Sequence, residues 1–175
     1  GKTAEYCGMD GLNDFLLSLH GDEDAGYAQI LNYRAEDFVP VMACPSQVDK
    51  IKPVTQVISE AASMEEGSVV PGVGLIEGGT VRVDQVFIGS CTNGHYKDIE
   101  EAAMIMKGKT VAKNVRAIII PATQTIYKEC IKRGYIEIFI DAGCVVSTPT
   151  CGPCLGGYMG ILAEDEIAVA TTNRN

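Results

Sequence analysis

The sequence predicts an α/β protein with a parallel or mostly parallel sheet and helices on both faces, a three-layer arrangement. Two observations carry this. From residue 81 onward, short apolar runs rich in β-branched residues alternate with segments of helical period. Turn residues fall between them, and strands that alternate with helices of this length build parallel sheets rather than hairpins.

Val83 to Ile88 is an apolar strand that runs into Gly89-Ser90-Cys91-Thr92. Tyr96 to Met106 follows with Ile99, Ala102, Ala103 and Met106 at i, i+3, i+4 and i+7, one face of a helix. Val115 to Ile120 is a nearly continuous β-branched strand closed by Pro121-Ala122-Thr123. Thr125 to Lys132 is a second helix, with Gly134 where a helix C-terminus wants a left-handed residue. Ile136 to Ile140 and Cys144 to Ser147 read as short extended or mixed pieces. Pro153 to Leu162 is expected to be a third helix and Glu166 to Thr171 a further strand.

The first third is less regular. Asp14 to Leu19 has a short helical look, Ala28 to Tyr33 and Phe38 to Ala43 read as strands, and Ala43-Cys44-Pro45-Ser46 as a turn. Residues 64 to 80, rich in Gly and Val, show no clean periodicity. The expected organisation is residues 1–60 as the tail of a preceding domain plus a connecting segment, and 61–175 as an α/β domain truncated at its C-terminus. The chain opens on Gly1 and stops abruptly at Asn173-Arg174-Asn175, which suggests an excised piece of a longer protein.

Composition excludes several classes. Of 175 residues, 46% are hydrophobic and 21% charged, a globular balance rather than a disordered one. The longest apolar runs are far too short to span a bilayer, so no membrane is implied. A net charge of −9 argues against nucleic acid, whose phosphates need a clustered basic surface. It leaves room for a small anionic substrate, which feels the local field. Seven cysteines, an odd number without a visible secretory signal, read as reduced thiols in a cytoplasmic setting.

Three of those cysteines carry the chemistry. Cys91 ends a strand, and Cys151 and Cys154 form Cys151-Gly152-Pro153-Cys154. Three thiolates are too few for a closed structural site. They suit an iron–sulfur cluster with one iron open to a substrate. Taken alone, the C-x-x-C pair leaves three readings open: a thioredoxin-like dithiol, half of a zinc site, or cluster ligation. The first needs no third cysteine but usually has a preceding aromatic, where this chain has Thr148-Pro149-Thr150 and no Trp; the second lacks a fourth ligand. In open α/β sheets ligand sites gather at the carboxyl ends of strands. The segments after four strands, Pro121-Ala122-Thr123-Gln124 among them, are therefore expected to meet on one edge.

Three stretches resemble the aconitase superfamily: Val86-Phe87-Ile88-Gly89-Ser90-Cys91-Thr92-Asn93-Gly94, Thr150-Cys151-Gly152-Pro153-Cys154-Leu155-Gly156-Gly157, and Ala170-Thr171-Thr172-Asn173-Arg174-Asn175. The nearer likeness is to the large subunits of 3-isopropylmalate dehydratase and the homoaconitases. The resemblance covers most of residues 38–175.

It implies a [4Fe-4S] cluster held by Cys91, Cys151 and Cys154, with Arg174 contacting a substrate carboxylate and Asn93 and Asn173 close to the cluster. It further implies a hydro-lyase that moves a hydroxyl between adjacent carbons of a hydroxy di- or tricarboxylic acid by dehydration and rehydration. A separate small subunit carrying a swivelling domain completes a hetero-oligomer. No catalytic acid or base of the family has a matching residue here, and His20 and His95, the only histidines, take no catalytic role. His95 follows Cys-Thr-Asn-Gly where relatives often have arginine, and Tyr158 follows Leu-Gly-Gly where many have histidine. These departures leave the ligand pattern intact and loosen the choice of substrate, so aconitase, homoaconitase and dimethylmalate dehydratase remain as alternatives. Outside the family, the dithiol redox protein remains the other class. Cys7, Cys44, Cys130 and Cys144 are expected to be structural.

Overall fold

The computed structural model of the chain describes residues 22–44, 49–70, 74–78 and 80–172. The chain divides into two units, Gly1–Phe38 and Val39–Asn175. In the first, the described residues are exposed and make one 3₁₀ turn, Ala35–Asp37. The strand expected over residues 28–33 does not form; its alternation has no partner strand among the described residues. The helical look of 14–19, the turn at 45–46, Cys7, His20, Asn173 and Arg174 lie outside the described residues.

The second unit opens with β1 (Val41–Ala43) antiparallel to β2 (Ile51–Pro53), followed by α1 (Val54–Ala62). Pro53 fits just ahead of a helix, where its missing N–H costs nothing. Three short antiparallel strands follow, β3 (Val69–Val70), β4 (Gly74–Glu77) and β5 (Thr80–Val81). Strands of two to four residues are too brief to show alternation, which is why the sequence pattern misses them. Ala61 of α1 and Ile76 of β4 are buried together, with Val81 against them.

The main sheet is β6 (Gln85–Gly89), β7 (Arg116–Ile120), β8 (Val145–Val146) and β9 (Ala168–Ala170), in the order β8-β7-β6-β9 and parallel throughout. The α/β class and the parallel sheet are as the sequence predicts. Between β6 and β7 lie α2 (Ser90–Asn93) and α3 (Tyr96–Met106); between β7 and β8 lie α4 (Gln124–Lys132) and α5 (Tyr135–Asp141).

β7 is buried on both faces from Ala117 to Ile120, the run of apolar residues expected of an inner parallel strand. Ala117 and Ile119 face α3, α4 and α5 through Ile99, Ala103, Ile126, Cys130, Tyr135, Ile136 and Phe139. On the other face Ile118 and Ile120 join Phe87, with Cys154 and Met159 packed against them.

Two elements differ from expectation. Residues 136–140, which read as extended, are helical in α5. Tyr135, Ile136 and Phe139 are buried at i, i+1 and i+4, so packing overrides the β-propensity of the isoleucines. The helix expected over residues 153–162 is a single 3₁₀ turn, Gly152–Leu155. Gly156 (φ 72°), Tyr158 (φ 56°) and Gly160 (φ 65°) are left-handed and break helical continuation.

A polar clamp ties the three helices. The Tyr135 hydroxyl donates to Glu100 Oε1 at 2.6 Å and the Tyr96 hydroxyl to the same oxygen at 2.9 Å. The Arg133 guanidinium lies 4.8 Å from the Tyr96 ring centroid. Hydrogen bonds from Tyr135, Lys97 and Tyr96 hold the Glu100 carboxyl down to about 2.

Two outcomes follow from this packing. Glu100 has a depressed folded-state pKa, so its contribution is fully present above the unfolded carboxylate value and is lost as pH falls toward about 2. Chemical unfolding followed by circular dichroism should show stability falling through that acid window, and Glu100→Gln should flatten the dependence. Phe139→Ala, which empties a fully buried site, should cost about 3–5 kcal/mol in the same assay.

Candidate metal and substrate site

The strand order β8-β7-β6-β9 places the switch in winding direction between β6 and β9. A crevice at the carboxyl ends of strands at such a point is where open α/β sheets bind ligands. Four chain segments leave the sheet there, and backbone contacts join them.

The first is the turn after β6. Gly89 has φ 114° and Ser90 φ 67°, so the strand reverses sharply into α2. A Cβ on Gly89 would collide with the carbonyl oxygen of Ile120 on the paired strand. Gly94 is as tightly held: a Cβ there would lie 2.6 Å from the Ser90 carbonyl and 2.7 Å from that of Ile120. The second segment follows β7, where Ala122 N donates to Gly94 O at 2.9 Å. Thr123 then caps α4 through its hydroxyl, which accepts from Ile126 N at 3.2 Å.

The third segment follows β8. Gly152 (φ 42°) sits with its Cα against the Ile120 side chain, so that a Cβ would lie 3.0 Å from Ile120 Cδ1. The fourth leaves β9 at Thr171. Thr171 N donates to Phe87 O at 3.0 Å, its hydroxyl accepts from Gly89 N at 3.0 Å, and its carbonyl accepts from the Asn93 side-chain amide. The expected meeting of strand-end segments is thus realised around Gly89 and Ile120.

Cys91 lies in α2 and is exposed; Cys151 precedes the 3₁₀ turn and is exposed; Cys154, at the end of that turn, is half-buried. Three soft thiol donors on neighbouring segments have the chemistry that iron–sulfur clusters require. Their side chains are not drawn into one ligand set: among the described residues, no group of three or more His, Cys, Asp or Glu is placed to hold a metal ion. The expected convergence of the three sulfurs is therefore not seen, although the backbones that carry them share an edge. Cys154 packs instead against the apolar layer of Phe87, Ile118 and Ile120, as a half-buried thiol readily does.

Cys44, Cys130 and Cys144 are buried. Burial pushes the Cys130 thiol up to about 11 and raises Cys144 as well. A thiol held neutral is a poor ligand. The dithiol reading also loses ground, because a thioredoxin-type cysteine is activated at a helix N-terminus. Here the turn after Cys151 stops at Gly156.

Asn93 ends α2, and its side-chain amide donates to the Thr171 carbonyl. Thr171 itself was not singled out as a site residue; its signal was a hydroxyl at the end of the last strand. Ser90 was missed too. It is 1% exposed, and its hydroxyl has no hydrogen-bond partner.

A parallel sheet with cysteine-bearing turns at its switch point defines the class, and the aconitase family (aconitate hydratase) profile matches residues 4–175. The chain belongs to the aconitase family. Among curated relatives, it is 52% identical over 154 residues to the 3-isopropylmalate dehydratase large subunit of Heliobacterium modesticaldum, covering 88% of this chain and 32% of that protein. It is 45% identical over 174 residues to the protein of the same name from Caldicellulosiruptor bescii, covering 99% and 36%. The Nitratiruptor sp. protein of that name is 52% identical over 156 residues, covering 89% and 32%. The chain spans about a third of the length of these relatives. Among the described residues no helix is long and apolar enough to cross a membrane.

The geometry makes one residue easy to test. Gly89→Ala should lower stability by about 2 kcal/mol or more, since it combines a left-handed backbone with a clash against a carbonyl that cannot move without unpairing β7. Thermal unfolding would measure it; a shift no larger than that of an exposed-site alanine would contradict the close approach.

Proposed function

We propose that this chain is the cluster-bearing part of a hydro-lyase that isomerises a hydroxy di- or tricarboxylic acid by dehydration and rehydration. 3-Isopropylmalate is the favoured substrate. The curated relatives named above support that choice, while citrate, homocitrate and dimethylmalate are the alternatives within the family. The observation that carries the reading is the meeting of four strand-end segments, two of them bearing cysteines, at the switch point of a parallel sheet.

In this reading Cys91, Cys151 and Cys154 hold a [4Fe-4S] cluster. When bound, the cluster supplies a Lewis acid for the leaving hydroxyl. Arg174 holds a substrate carboxylate. Its planar fork binds both oxygens and keeps its charge at any working pH. Asn93 and Asn173 lie beside the cluster, and the Asn93 amide steadies the segment after β9 by donating to Thr171. The base that removes a carbon-bound proton is not among these residues and comes from other parts of the whole enzyme. A small subunit with a swivelling domain closes the site. Residues 61–175 form the cluster domain and 1–60 the end of a preceding one, and the enzyme works in the cytoplasm.

Anaerobic reconstitution with iron and sulfide tests the ligand set. About four irons and four sulfides per chain are expected, with loss of the cluster signal in Cys91→Ser, Cys151→Ser or Cys154→Ser. Retention of iron in all three variants would defeat the assignment. In the whole enzyme with its small subunit, Arg174→Lys should lower kcat/KM by roughly 30- to 100-fold, because lysine keeps the charge and loses the fork. The chain by itself should turn over no hydroxy acid, as steady-state assay would show.

A further inference from the structure

At the amino end of the main sheet, opposite the site, Arg116 and Glu166 form a two-pronged ion pair. Both distances, Nη1 to Oε1 and Nη2 to Oε2, are 2.6 Å. Glu166 also accepts from Ala163 N at 2.8 Å, which curls the chain just before β9. Asp84 at the head of β6 accepts from Ile167 N at 2.9 Å, and Ile167 O accepts from Asp84 N and Gln85 N at 2.9 and 3.0 Å. Gln85, 1% exposed, donates to Gly160 O at 2.9 Å and accepts from Arg116 Nε at 3.3 Å. One arginine at the start of β7 thus fastens the chain that leads into β9.

β9 needs such a fastening. It is three residues long, Ala168-Val169-Ala170, pairs with β6 alone among the described residues, and leaves both alanines exposed. So little apolar burial fixes register weakly, and a slip of one residue would turn every side chain to the opposite face. Thr171, with its bonds to Gly89 and Asn93, follows directly. Arg174 is three residues further on.

We infer that the Arg116–Glu166 pair is a positioning latch: by setting the register of β9 from its amino end, it holds Thr171 against Gly89 and Asn93, three residues before Arg174 in the sequence. The inference rests on the proposed role of Arg174. Neither latch residue touches substrate, so the latch acts on binding through Arg174 rather than on the bond-breaking step.

The test uses the whole enzyme with its small subunit and 3-isopropylmalate. Arg116→Ala and Glu166→Ala should each raise KM about tenfold, the double variant no further, and kcat should stay within about twofold. A merely structural defect would reduce the fraction of active enzyme, which lowers apparent kcat and leaves KM alone. Deuterium uptake at the amides of residues 168–172 should quicken in both variants, with α3, α4 and α5 unchanged. An unchanged KM, a fall in kcat alone, or unaltered uptake at 168–172 would overturn the latch. Arg174→Lys is measured alongside. If it leaves KM and kcat untouched, the substrate role of Arg174 fails, and the exchange at 168–172 alone decides whether β9 is held by this pair.

Discussion

The close approach of Gly89 to the Ile120 carbonyl is the constraint on which the rest depends. Parallel strands lie about 4.8 Å apart, and β6 must turn out of the sheet while still paired with Ile120. Only a residue without a Cβ fits. Once Gly89 has turned, Ser90 is forced into a left-handed conformation, α2 starts at once, and Cys91 faces solvent one residue later. Gly94 brings the chain back against the same carbonyl, and Ala122 N donates to the carbonyl of Gly94. Ile120 is therefore the hub: its backbone receives the turn after β6, and its side chain receives Gly152 from the turn after β8.

The two faces of the sheet do different work. On one, three helices and a fully buried Phe139 give rigidity, locked further by the tyrosine pair on Glu100. On the other, the apolar layer of Phe87, Ile118 and Ile120 is covered by the irregular segment that carries Cys154 and Met159. A rigid face supports a strand-end site, and an irregular one lets glycines approach the sheet closely. Positive-φ residues fall at 89–90 and, in the irregular segment, at 152, 156, 158 and 160; in the helical layer they are the glycines that follow α3, α4 and α5, Gly108, Gly134 and Gly143.

Much of this was legible in the residues. The 3.6-residue spacing of Ile99, Ala103 and Met106 identified α3 end to end, and the run Val115 to Ile120 identified the strand β7 to within one residue. Gly134 marked a helix end and has φ 75°. α5 was not legible, because isoleucine at alternate positions speaks for a strand until tertiary burial of Tyr135 and Phe139 is known. The segment after Cys154 was misread for the opposite reason: its left-handed positions, Tyr158 among them, are not encoded by helix propensity. The site was legible as a set of strand ends and glycines. Its contacts across the edge, such as Thr171 to Gly89, depend on strand order, which no local pattern contains.

The sheet's outer strands have a consequence for how the chain keeps to itself. β8 offers two residues and β9 three, so each open margin presents very few backbone groups to a passing strand. A long flat margin would act as a template for another chain. Here the central strands, long and apolar, are interior, and the margins are too short to recruit one. The same brevity that makes β9 depend on polar fastening at both ends also protects the protein from adding a strand that is not its own.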